Sequence, residues 1–143
     1  MAEDDPFELA RFVEAQRSGG TYERAFEELR RGRKESHWIW FVFPQLDGLG
    51  RSATARRYAI RSLEEARAYL EHPVLGERLR ECARVVAETA DAPDRVFGPV
   101  DTMKLRSSMT LFARAAPEES VFVDVLERHF GGAPDERTEE LLS

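Results

Sequence analysis

The chain has a single cysteine, Cys82, in 143 residues, so no internal disulfide can form, which agrees with a reducing compartment. Its three histidines, His37, His72 and His129, are dispersed, and neither an HExxH nor a CxxC spacing occurs. No metal and no cofactor is therefore indicated. No serine stands in a GxSxG elbow, so acyl-enzyme chemistry has no support. Nothing approaches the roughly 20 apolar residues of a membrane span, and the start MAEDDPFELARF lacks the cationic opening and apolar run of a signal peptide. The expectation is a cytoplasmic protein with no membrane partner. A net charge of −6 argues against bulk nucleic-acid binding.

What is present is enough to fold. Apolar residues make up 42% and aromatics 10%, with 34% charged, the balance of a core inside a solvated exterior. A chain of this length fits one domain burying about 70% of its unfolded surface. We expect a single globular domain over 1–143, with 1–5 flexible, and without repeats or linkers. Charge is uneven: Arg30 to Arg61 holds eight basic residues against two acids, net +6, while the remainder is net −12.

The pattern is mainly α, a compact domain of about six to seven helices with at most a short strand pair. Asp5-Pro6 opens a helix that closes at Ser18-Gly19-Gly20, and Thr21 caps a second that ends at Gly32. Trp38 to Phe43 is apolar throughout, rich in strand formers and stopped by Pro44, which predicts a short buried strand. Gln45 to Gly50 is a turn, and Ser52 caps a short helix. Ser62-x-x-Glu65 opens a helix to Glu71 as a capping box. After His72-Pro73 comes the longest helix, with Leu75, Leu79, Cys82, Ala83 and Val86 on its apolar face. Cys82 is read as an inert core thiol. Pro93 to Pro99 reads as a loop, Asp101 as the cap of a helix over Thr102 to Ala115, Pro117 as the start of another through His129, and Asp135 as the cap of a terminal turn.

Chemistry concentrates in two stretches. In HWIWFVFPQLDGLGRS, Gly48 and Gly50 free backbone N–H groups to converge on a phosphate, Ser52 opens a helix behind them, and Arg57 supplies countercharge. Trp38 and Trp40 would point to one side of an extended segment and offer faces for stacking, and His37 is a donor or an acid/base group. The plain alternatives are a chain-reversal turn, core anchors and a surface histidine. In FGPVDTMKLRSSMTLF, Lys104, Ser107 and Ser108 share a polar strip. Lys104 opposes the helix dipole and needs an anion, which is either Asp101 or a ligand phosphate. Acid/base work would fall to Asp101 or Asp47, each otherwise a cap or turn residue. Polar residues beside apolar runs in both stretches predict that 37–58 and 97–111 meet.

At these residues the chain resembles a small bacterial family of unknown function whose members are sometimes labelled calpastatin-like. The landmarks are His37-Trp38-x-Trp40-Phe41-x-Phe43-Pro44-Gln45 with Gly48-Leu49-Gly50-x-Ser52, Tyr69-Leu70-x-His72-Pro73, and Phe97-Gly98-x-x-Asp101-x-x-Lys104-x-x-Ser107-Ser108-Met109-Thr110-Leu111-Phe112. The resemblance spans nearly the whole chain and implies a mainly helical domain. More distantly, the helix order and the Gly-x-x-Asp-x-x-Lys stretch are similar to the NADAR group, which cleaves ADP-ribose-type N-glycosides. That resemblance implies a ligand class and no catalytic residue. The resulting expectation is a small anionic ligand of nucleotide or ADP-ribose type, with N-glycosidic hydrolysis as its chemistry. The alternative is a non-enzymatic interaction module that presents Trp38, Trp40 and Phe43 to a protein partner.

Overall fold

The computed structural model describes residues 5–143, so all but the last residue of the segment expected to be flexible lies outside it. Among the described residues the chain forms nine α-helices: α1 Ala10–Arg17, α2 Thr21–Arg31, α3 Ile39–Val42, α4 Ala53–Arg57, α5 Leu63–Glu71, α6 Leu75–Glu88, α7 Pro93–Ala115, α8 Ser120–Phe130 and α9 Glu136–Leu142. A 3₁₀ turn, Ser18–Gly20, joins the first two. α7 runs through the middle, packed by α5, α8 and α9, and α6 lies against α2, α5 and α8. Phe12, Trp38, Tyr69, Leu105, Met109, Phe112 and Phe122 fill the core between them. No helix among the described residues is long and apolar enough to cross a membrane.

Capping chemistry was legible at several ends. Ser52 Oγ accepts from Ala55 N at 3.0 Å, Ser62 Oγ from Glu65 N at 3.1 Å, and Asp135 Oδ2 from Thr138 N at 2.9 Å. His72 Nδ1 accepts from Val74 N and Leu75 N and so starts α6. Elsewhere the ends move. Asp5 accepts from Leu9 N and Ala10 N, but Glu8 has φ +53°, so α1 begins at Ala10 rather than at Pro6. Thr21 donates to Ser18 O instead of capping α2, and α8 begins three residues beyond Pro117.

Two larger differences bear on the site. The predicted strand at 38–43 is a single helical turn, α3, with Trp38 as its N-cap. A helical turn spreads apolar side chains around its axis. Trp38, Ile39, Val42 and Phe43 are thereby all buried, and this packing overrides the local preference for strand. The freed Phe41 carbonyl accepts from Gln16 Nε2 at 2.7 Å and from Tyr69 OH at 3.3 Å. Of the expected strand pair only one parallel bridge remains, between Leu46 and Ile60. The expected loop at 93–99 is helical too: α7 starts at Pro93 and is interrupted at Gly98 (φ +81°, ψ 160°), and Pro99 restarts it. Asp101 consequently sits inside the restarted helix and does not cap it.

Candidate functional site

The site is assembled where the segment leaving α2 docks on the kink of α7. Lys34 N donates to Val96 O at 2.7 Å, and Phe97, just before the kink, packs its ring 6.3 Å from those of Trp38 and Phe43. The Lys34 ammonium, only 6% exposed, lies 2.8 Å from Asp101 Oδ2 and 5.0 Å above the Trp38 ring. Lys104 Nζ lies 3.4 Å from Asp101 Oδ1 and 4.7 Å above the Trp40 ring. One carboxylate is thus held between two ammonium groups, each resting on an indole face, which suits a cation because the ring face is electron-rich. The two sequence stretches meet as expected.

Beneath this cluster, Glu28 fixes the approach of the segment. Its carboxylate accepts from Glu35 N (2.8 Å), Ser36 N (3.0 Å), Ser36 Oγ (2.7 Å) and Trp38 Nε1 (2.8 Å). Burial alone would raise this carboxyl. The hydrogen bonds from Ser36, Trp38 and the backbone outweigh burial and hold it down at about 2.

Half-buried rings continue outward from Trp40. Its ring is 6.2 Å from Phe41, Phe41 is 4.7 Å edge-on from Tyr58, and Arg57 lies 5.6 Å from the Tyr58 ring. The row is flanked by Lys104 at one end and Arg57 at the other. Two buried polar atoms beside Lys104 have no hydrogen-bond partner: Trp40 Nε1 and Ser108 Oγ, one helical turn beyond the lysine. Ser107 and Thr110 on the same helix bond back to the carbonyls of Met103 and Arg106, so Ser108 differs from its neighbours.

Residues 6–142 match the family described as protein of unknown function, DUF1810. The chain belongs to that family. A solved structure similar to this chain is that of the conserved hypothetical protein Rv1873 from Mycobacterium tuberculosis. Its 1.38 Å crystal structure shares 54% identity and a TM-score of 0.93 over 96% of this chain and 98% of that one. No curated protein matches.

In this DUF1810 chain the remaining sequence candidates disperse. Gly48 and Gly50 have structural reasons to be glycine: Gly48 has φ +102°, a backbone region that side chains avoid, and a Cβ on Gly50 would lie only 2.5 Å from Ala55 Cβ. Ser52 Oγ is taken by its cap. His37 is exposed, and Asp47 lies on an exposed turn tied by its N–H to Ile60 O. Trp38 and Trp40 do not share a side, because two residues on a helix turn are about 200° apart. Trp38 and Phe43 are fully buried, so of the proposed protein-docking trio only Trp40 reaches the surface. Cys82 is buried, and burial pushes its thiol up to about 12. Among the described residues no three metal-ligating side chains cluster. Glu28 and Lys34 were missed. A glutamate three residues after buried Ala25 and next to Leu29, on the apolar stripe of α2, was the available signal for the first. Lys34 was counted only as bulk charge.

Proposed function

We propose that this DUF1810 protein binds a small anionic ligand of nucleotide or ADP-ribose type at the Trp40–Lys104 end of the aromatic row. The observation that carries the reading is the pair of unpartnered buried polar atoms, Trp40 Nε1 and Ser108 Oγ, flanking a lysine that is 25% exposed. The large majority of buried side-chain polar atoms in folded proteins have a partner, and on this reading a small movement of the half-buried Trp40 ring brings its Nε1 to an acceptor-rich guest at Lys104, while Ser108 stays fully buried behind it. A phosphate or ribose oxygen is such an acceptor, and the half-buried rings of Trp40 and Phe41 supply a face for a base. On this reading the ligand takes Lys104 over from Asp101. The freed Asp101 oxygen then accepts the proton of a water whose oxygen bonds the glycosidic carbon as the C–N bond breaks, and the departing nitrogen base takes up a proton in turn.

A thermal-shift and calorimetric series with ADP-ribose, AMP and ribose 5-phosphate tests this. Lys104→Ala should remove on the order of 1–3 kcal/mol of binding, the range for a charged hydrogen-bonding group, and Arg57→Ala should weaken binding through the far end of the row. Arg30→Ala, on the exposed end of α2, should change little. Equal losses at all three positions, falling steeply with salt, would mean a diffuse surface field and no site.

A further inference from the structure

A second concentration of cation lies apart from Lys104. Arg11 of α1, Arg56 and Arg57 of α4, and Arg61 line one cavity of about 430 Å³, with Glu8 as the single acid of its lining. We propose that this pocket is an anion site that takes a phosphate chain of pyrophosphate type, free or carried by a nucleoside. It goes beyond the Trp40 reading, with which it shares Arg57, and rests on the other arginines of the cavity.

The pocket has a built wall and unpaired charge. Arg11 is the wall. Its guanidinium bonds Glu65 Oε2 at 2.9 Å and the carbonyls of Phe7, Glu8, Arg57 and Ala59, tying together α1, the end of α4 and α5. Its charge is balanced by Glu65, which is itself buried. Arg56, Arg57 and Arg61 are exposed, and none has a carboxylate within ion-pair distance among the described residues. Among the described residues the Arg57 guanidinium makes one hydrogen bond, to the Tyr58 hydroxyl at 3.4 Å. Three guanidinium groups around one cavity, without a carboxylate partner among the described residues, repel one another, and a multivalent anion relieves that repulsion while meeting their planar donor forks. The carboxyl end of a helix favours cations, which would account for Arg56 and Arg57. It does not account for Arg61, which lies beyond α4 on the same cavity.

Glu8 shapes the opposite lip. It is the only non-glycine residue at positive φ among the described residues, held there by Asp5 O on its N–H and by Arg11 on its carbonyl. A neighbouring cavity of about 640 Å³ shares Glu8, Arg11 and Arg57 and continues to Phe41 and Tyr58. Volumes of this order suit a small ligand, so a diphosphate seated on the arginines has room for an organic group against those two rings.

Calorimetric titration of the full chain with sodium pyrophosphate and with ADP tests the assignment. Both should bind, and both should weaken at least tenfold in Arg56→Gln/Arg61→Gln. These exposed changes leave the Arg11 wall intact, and an unchanged melting temperature without ligand verifies the fold. Pyrophosphate affinity should stay within twofold in Lys104→Met, because Lys104 does not line the arginine pocket. No pyrophosphate binding at millimolar concentration, an affinity unaffected by the double substitution, or an equal loss from Arg30→Gln would overturn the site. Complete loss of ADP-ribose binding in Lys104→Met would likewise overturn the site, because the diphosphate of ADP-ribose should still bind the arginines, whereas a loss of the Trp40 contact with diphosphate binding retained leaves it standing.

Discussion

At the scale of single residues, Glu28 is the most consequential side chain that sequence reading overlooked. A carboxylate buried to 2% exposure and accepting four hydrogen bonds orders residues 35–38, and through Trp38 it sets where Trp40 and Lys34 stand. Its folded pKa of about 2 lies below the ordinary value of 4.5. The stability it contributes is therefore full above about pH 4.5 and is lost as pH falls toward 2. Glu28→Gln should destabilise the protein by roughly 2–3 kcal/mol at neutral pH, since an amide cannot accept four donors and charge-assisted bonds are lost. Urea unfolding at pH 7 and pH 3 checks this: the gap between wild type and variant should narrow at the lower pH. A gap independent of pH would mean that the carboxylate charge does not matter. Lys34 shows the same limit on legibility. Its partner Asp101 is 67 residues away in sequence, a distance no local pattern spans.

At the scale of elements, helices with long apolar stripes were legible. The faces of α5, α6 and the second half of α7 follow from spacing alone, because burial of one stripe is what makes such helices form. Short elements were not. α3 is a helical turn built from strand-forming residues, held by Gln16 and Tyr69 from other parts of the chain, and the segment before Gly98 is helical despite two nearby prolines. Gly98 is what lets both halves of α7 exist. Its φ and ψ belong to a region that side chains with a Cβ avoid, and no atom lies within 4 Å of where a Cβ would stand. Gly98→Ala should cost about 1–3 kcal/mol through backbone strain alone, seen as a lower denaturation midpoint with an unchanged urea m-value. It should also weaken any ligand response, because the kink seats Asp101 and Lys104. Unchanged stability would show that the kink is not constrained.

At the scale of the whole molecule, the chain closes one core around α7 and leaves two cationic features on its exterior, Lys104 at one end of a row of rings and the arginine pocket beyond the other. The sequence indicated that the stretches 37–58 and 97–111 meet, and Lys104 does rest on the Trp40 ring. The sequence could not separate the glycine turn, whose glycines are required by the positive φ of Gly48 and by the close approach of Ala55 to Gly50, from the cluster that holds unpartnered donors. The central claim is that Trp40 Nε1 is an unused donor waiting for a ligand oxygen. The most direct test is an NMR titration of the two indole N–H resonances, assigned with Trp40→Phe, while ADP-ribose is added to ¹⁵N-labelled protein. The account predicts that the Trp40 indole resonance shifts downfield in a saturable way. The Trp38 resonance, already bonded to Glu28, should stay in place, and the shift should vanish in Lys104→Met. Two stationary indole resonances at saturating ADP-ribose, or movement of Trp38 alone, would contradict it.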